Sequence, residues 1–158
     1  MVAAYIGLGS NLDGPKDQLQ KAFAALARIP DSTLERYSSL YQSSPMGGLQ
    51  QPDYMNAVAE LETTLEPQEL LLQLQSIETA HGRVRGERWG ARTLDLDLLV
   101  YGANIIDTSD LKVPHPGLHE RAFVLYPLHE IAPDLEIPGL GRVTELLRNC
   151  SHDGLKKI

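Results

Sequence analysis

Residues 94–99 read Leu-Asp-Leu-Asp-Leu-Leu, and this alternation constrains the chain more than any other segment. In a β-strand successive side chains point to opposite faces. Leu94, Leu96 and Leu98 therefore share a core face, and Asp95 and Asp97 stand side by side on the other. A strand over 94–101 with one apolar and one acidic face belongs in a sheet whose first face is packed and whose second can bear a site.

The rest of the chain supplies partners for that strand. Residues 2–8 read as a buried strand, and Gly7-Leu8-Gly9-Ser10-Asn11 turns the chain. Asp13-Gly14-Pro15 is a helix entry, because Pro in the first turn loses no hydrogen bond. Leu19, Ala22, Phe23 and Leu26 follow at helical spacing, and Ile29-Pro30-Asp31 ends the helix. Strands are expected over 34–42 and 53–62, with a turn-rich loop at 43–48 between them. Pro67 opens a second helix to about His81, striped by Leu70, Leu74 and Ile77. Residues 113–117 are held extended by prolines. A third helix is expected over 118–131 and a short terminal one over 142–150. The order strand, helix, strand, strand, helix, strand predicts an α+β, ferredoxin-like βαββαβ sandwich. Its sheet would be mainly antiparallel, with helices on one face plus C-terminal additions.

With 158 residues and no dividing linker, the chain is expected to form one domain, 1–158. It carries 14 Lys and Arg against 21 Asp and Glu, a net charge of −7. That sum argues against nucleic-acid and acidic-membrane partners, which require clustered positive charge. No segment has the roughly 18 apolar residues of a membrane span. One cysteine, Cys150, permits no internal disulfide and reads as an incidental structural thiol. No targeting segment is visible, and a cytoplasmic monomer is expected.

The acid pair would repel itself unless solvated or bridged by a cation. Mg²⁺ accepts one or two carboxylates and fills its remaining positions with waters and phosphate oxygens. Alone, so short a motif as Asp-x-Asp reads as a solvated sheet face with no metal. Immediately before it, however, Arg83, Arg85, Arg88 and Arg92 are interleaved with Gly82, Gly86, Gly90 and Trp89. Guanidinium forks suit phosphates, glycines permit loop closure, and an indole can stack on a flat ring. Basic loop and acidic strand together suggest a site that neutralises a polyphosphate from two sides. His115, between two prolines, could donate to a phosphate oxygen, and Tyr54 and Asn56 could meet a flat heterocycle. The P-loop signature is absent.

The run Arg88-Trp89-Gly90-Ala91-Arg92-Thr93-Leu94-Asp95-Leu96-Asp97-Leu98-Leu99 resembles the signature of the 6-hydroxymethyl-7,8-dihydropterin pyrophosphokinases. Gly9-Ser10-Asn11, Gln51-Pro52-Asp53-Tyr54-Met55-Asn56, Val113-Pro114-His115-Pro116 and Arg121-Ala122-Phe123 extend the resemblance over essentially the whole chain. It implies transfer of a diphosphoryl group from ATP, as co-substrate, to 6-hydroxymethyl-7,8-dihydropterin, leaving AMP, in folate biosynthesis. It implies two Mg²⁺ on Asp95 and Asp97, with Arg83, Arg92 and Asp97 as catalytic residues. Gln75, Glu78, Arg85, Trp89, Arg92, Leu98, Lys112, His115 and Arg121 match positions around the ATP. Ser43, Ser44, Pro45, Met46, Gly47, Tyr54, Asn56 and Phe123 match the pterin wall, and 82–92 the closing loop. A two-metal nucleotidyltransferase is the nearest enzymatic rival, and a non-catalytic ferredoxin-like module is the rival from another class.

Overall fold

Strand alternation and helical spacing are both realised in the computed structural model of the chain, which describes residues 1–10, 14–43, 54–81, 94–151 and 154–158. β1 (Val2–Ser10), α1 (Pro15–Leu26), β2 (Ser32–Tyr37), β3 (Tyr41–Ser43), β4 (Tyr54–Thr63), α2 (Pro67–Ala80) and β5 (Asp95–Tyr101) come first. They are followed by β6 (Ile106–Asp107), β7 (Lys112–Val113) and a 3-10 turn at Leu118–Glu120. α3 (Ala122–Ile131), β8 (Glu136–Ile137), β9 (Gly141–Arg142), α4 (Val143–Arg148) and β10 (Leu155–Lys157) complete the order.

The main sheet runs β10-β3-β4-β1-β5, with β2 also paired to β4, and all its pairings are antiparallel. Leu19, Ala22, Phe23 and Leu26 of α1 and Leu70 and Leu74 of α2 pack on one sheet face, against Ile6, Leu8, Leu61, Leu96 and Leu98. Pro67 occupies the first turn of α2, which opens on a capping box between Glu66 and Glu69. The α+β sandwich is thus as expected, and its C-terminal additions form a second layer. Val124, Leu125 and Leu128 of α3, with Val143 of α4, cover Tyr5, Val58, Leu99 and Val100 on the opposite face.

Three expectations change. The strand at 34–42 is two strands. Between them Ser38 N–H donates to Val58 O at 2.8 Å, while Val58 N–H donates to Ser38 Oγ at 2.9 Å. A hydroxyl stands in for a ladder carbonyl, and the chain kinks there. The helix at 118–131 begins later, because Arg121 is extended (φ −112°, ψ 105°) and separates the 3-10 turn from α3. The first strand runs to Ser10, so Gly7 and Gly9 lie within it rather than in a turn. Cys150 packs half-buried against the second apolar cluster, and burial pushes its thiol pKa up, which fits an unreactive structural thiol.

Two acids fasten α3 and the sheet edge. Glu60, buried on β4, lies 2.7 Å from Arg36 Nε, and Arg36 Nη1 donates to Ile131 O at 2.8 Å. Glu130 accepts from Tyr41 OH at 2.7 Å and from Ser39 N and Oγ at 3.0 Å each. Burial pushes the Glu130 carboxyl up, but these donors, with Lys157, outweigh it and hold the pKa below the ordinary value of 4.5. A depressed carboxyl pKa contributes stability above the unfolded value, and that stability is lost as pH falls through the folded one. Glu130→Ala should lower the unfolding free energy at pH 7 by about 1.5–3 kcal/mol, the range for hydrogen bonds to a charged group. The deficit should shrink as pH falls below 4.5, which urea titrations of both proteins at pH 7 and pH 3.5 would check.

Candidate active site

The site follows from strand register. β1 lies between β4 and β5, with Gly9 opposite both Asn56 and Asp95, and Gly7 opposite both Val58 and Asp97. Because Leu96 and Leu98 face α1 and α2, Asp95 and Asp97 face the other way, and Gly7, Gly9 and Asn56 share their side. Two glycines two apart line this stretch of β1; the Leu99 side chain lies over Gly7, where a Cβ would meet it at 3.3 Å, so the bare floor is at Gly9. It separates the acids from Asn56 by two interstrand spacings, about 10 Å. The close approach at Gly9 is specific, since a Cβ there would lie 3.1 Å from Asn56 Nδ2. Asn56 is buried, and Ser43 Oγ donates to its Oδ1 at 3.0 Å. That bond turns the Asn56 amino group away from Ser43, over the Gly9 floor. Tyr54 pairs with Ser43 across β3 and β4 at the same end.

The other wall comes from the segment after β7. Its Val113–Pro114 bond is cis, and His115 N–H donates to Leu99 O at 2.9 Å on the outer side of β5. Gly117 N–H donates to His115 Nδ1 at 3.2 Å, so a neutral His115 carries its proton on Nε2. Burial lowers the His115 pKa, Asp97 opposes that shift and Arg121 adds to it. The Arg121 guanidinium rests against Gly117, where a Cβ would come within 2.8 Å of Nε, and lies 5.7 Å from the Phe123 ring centroid. The extended backbone of Arg121 is what lets the 3-10 turn and α3 present His115, Arg121 and Phe123 together.

The structure therefore places Asp95, Asp97, Asn56, Tyr54, Ser43, His115, Arg121 and Phe123 at the part of the second face that, among the described residues, α3 and α4 do not cover. Leu98 is placed elsewhere: it is 3% exposed and its side chain lies in the core on the α1–α2 face. Lys112 is exposed on β7, 3.9 Å from Asp107. Gln75 is half-buried on α2, and Glu78 is buried with its carboxylate on the backbone of β5. Arg83, Arg85, Trp89, Arg92, Ser44, Pro45, Met46 and Gly47 lie outside the described residues. Sequence reasoning missed Gly9 as the floor of the site and Gly7 as the seat of Leu99. Their signal is parity, glycines two apart on a strand whose intervening residues are apolar.

A sequence model described as 7,8-dihydro-6-hydroxymethylpterin-pyrophosphokinase (HPPK) matches residues 5–133. The chain belongs to the HPPK family. A 2-amino-4-hydroxy-6-hydroxymethyldihydropteridine pyrophosphokinase of Pseudomonas aeruginosa is 48% identical over 154 residues, covering 98% of this chain and 95% of that one. The Haemophilus influenzae protein of the same name is 48% identical over 158 residues, covering 100% and 99%. A crystal structure of Plasmodium falciparum HPPK-DHPS superposes with a TM-score of 0.76 at 13% identity, which speaks to the fold. The HPPK chain described here covers 47% of that longer protein.

The hydrogen bond from Gly117 makes a prediction. In the ligand-free protein, ring ¹⁵N NMR should show His115 as the Nε2–H tautomer, titrating below 6.5. A base with a lowered folded pKa costs stability as pH falls below its unfolded value, since the unfolded chain takes up the proton first. Asp97→Asn should lower the midpoint further, because the Asp97 charge is what holds it up.

Proposed function

We propose that this chain transfers a diphosphoryl group from ATP to the hydroxymethyl oxygen of 6-hydroxymethyl-7,8-dihydropterin, yielding the pterin diphosphate and AMP in folate biosynthesis. The observation that carries the reading is the acid pair Asp95–Asp97 sharing a sheet face with Asn56 across Gly9 of β1. Charged chemistry has one wall and a flat heterocycle the other, at a spacing one substrate molecule can bridge.

The donor set fits magnesium. Asp95 and Asp97 offer hard oxygen ligands, and no group of three or more His, Cys, Asp or Glu is clustered for a metal among the described residues. Two carboxylates leave coordination positions to phosphates and water, which is how Mg²⁺ is held with nucleotides. Two Mg²⁺ there would neutralise the triphosphate and orient it for in-line displacement.

The remaining work belongs to the chain. The hydroxymethyl oxygen attacks the β-phosphorus, the bond from that phosphorus to the α,β-bridging oxygen breaks, and that oxygen leaves with AMP. His115 Nε2–H and the Arg121 guanidinium donate to phosphate oxygens, and Arg83 and Arg92 add charge from the neighbouring segment. Asp97 orients the hydroxyl and accepts its proton. Ser43, Ser44, Pro45, Met46, Gly47, Tyr54, Asn56 and Phe123 hold the pterin, and Gln75, Arg85, Trp89, Lys112 and the backbone of Leu98 surround the nucleotide. Residues 82–92 close over the substrates and exclude water that would otherwise hydrolyse ATP. The reading places this activity in a single-domain, cytoplasmic monomer. Among the described residues no helix is long and apolar enough to cross a membrane.

Incubation with ATP, Mg²⁺ and the hydroxymethyl pterin should release AMP and form the pterin diphosphate, whereas free pyrophosphate would mean nucleotidyl transfer. Asp97→Ala and Arg92→Ala should each slow turnover by at least about a hundredfold, the scale of losing one electrostatic stabiliser, with unchanged melting. Full activity in either variant would remove that residue from the site. Gly9→Ala should weaken pterin binding by about tenfold, or about 1.4 kcal/mol, through displacement of Asn56. Calorimetry should show the affinity of this variant for a non-hydrolysable ATP analogue unchanged.

A further inference from the structure

β5 ends the main sheet, and among the described residues no strand pairs with its outer edge, where His115 N–H donates to Leu99 O. It begins at Asp95, which puts one member of the acid pair at a strand terminus on that edge, where fraying is easiest. Leu96 is the residue between the two acids. Its N–H donates to Glu78 Oε2 at 2.8 Å, in a buried bond from the sheet edge to α2. Glu78 is 6% exposed, a carboxylate withdrawn from water on the side of β5 away from the acids. Burying a carboxylate is costly without strong hydrogen bonds, so its placement calls for an explanation.

α2 is a firm support for that contact. Leu70 and Leu74 are fully buried in the core, and beyond the helix end His81 Nδ1 hydrogen-bonds Gln18 Oε1 of α1 at 2.9 Å. The helix therefore cannot follow a fraying strand. An N–H held at Leu96 fixes the peptide joining it to Asp95 and, with Leu96 and Leu98 seated in the core, the spacing and twist at which Asp95 and Asp97 leave the sheet.

We propose that Glu78 is a positioning residue for the acid pair, acting through Leu96 N–H rather than by touching the nucleotide. The proposal rests on the reading of Asp95 and Asp97 as metal ligands. It assigns Glu78 to the support of those ligands, in the way outer partners of metal ligands set affinity by orientation.

The test uses the full-length chain as wild type, Glu78→Gln and Glu78→Ala. Mn²⁺ is titrated by electron paramagnetic resonance with a saturating non-hydrolysable ATP analogue, and analogue binding is measured separately in EDTA. Amide hydrogen exchange at Leu96 and thermal melting are recorded for each protein. The proposal expects a slow Leu96 amide in wild type and a fast one in Glu78→Ala. It expects Mn²⁺ affinity about tenfold weaker in Glu78→Ala, the lower end of the range for such partners. Glu78→Gln, which keeps an acceptor oxygen, should recover most of that loss, and metal-free analogue binding should be equal in all three. Unchanged Mn²⁺ affinity in a folded Glu78→Ala would overturn the role, as would a glutamine variant no better than alanine. Loss of metal-free analogue binding would overturn it in favour of direct nucleotide contact. Should Glu78→Ala fail to fold, the glutamine variant and the wild-type Leu96 exchange rate still decide, a fast wild-type amide counting against the proposal. Absence of Mn²⁺ binding in wild type would instead overturn the metal-site reading itself.

Discussion

The leucine side of β5 holds its aspartate side in place. Two carboxylates two residues apart on a strand are about 7 Å apart, and their repulsion is about 2 kcal/mol at an effective dielectric constant near 20. Against it stand Leu94, Leu96 and Leu98, each 4% exposed or less. Burying one such side chain is worth about 1.5–3 kcal/mol, so the three together outweigh the repulsion severalfold. The core thus forces both acids onto one face before any cation arrives. The register of β1 then decides what they look across, and the absence of a side chain at Gly9 makes room there for the Asn56 amide, whereas Leu99 fills the space over Gly7.

How much of that face stays open depends on α3. The helix covers the sheet at Tyr5, Val58, Leu99 and Val100, and its C-terminal end is held from two directions. Arg36 ties Ile131 O to buried Glu60, while Glu130 ties back to Ser39 and Tyr41. With that end fixed, the other end carries Arg121 and Phe123 to the margin of the acid pair. Fastening contacts far from the acids therefore set the boundary of the site. They involve strands β2, β3 and β4, none of which carries an acid of the pair.

Periodic elements were legible in the sequence because their period is the signal. The alternation at 94–99, the helical stripe at Leu19, Ala22, Phe23 and Leu26, and the helix opening at Pro67 each have one reading. The departures all lie where local hydrogen bonding overrides the pattern. Ser38 breaks an otherwise continuous strand by lending its hydroxyl to the ladder, and the extended backbone at Arg121 splits an apparently continuous helix. β10 is three residues long, too short for any periodicity, and exists because β3 offers it an edge. At the site, Asp95, Asp97, Asn56 and His115 were legible as residue types with an evident chemistry. Gly9 was not, because its contribution is room for Asn56. Leu98 was matched to a ligand position, yet its side chain is in the core, which leaves only its backbone available to the opposite side.

The charges at the site give one further consequence. Among the described groups beside β5, Asp95 and Asp97 are carboxyl groups, burial disfavours the charged form of His115 while Asp97 opposes that, and Arg121 is a positive member. This local set is net negative, in keeping with a chain of net charge −7. A nucleoside triphosphate approaching it meets repulsion from the same carboxylates that are read as its anchoring point. At physiological ionic strength charges beyond about 8 Å are screened, so the offset must come from nearby cations, a bound metal or the arginines read beside it at 83–92. The acid pair favours the triphosphate only when cations lie between them. Metal and nucleotide should therefore bind this wall as one unit, each raising the affinity for the other by the same factor, as linkage requires.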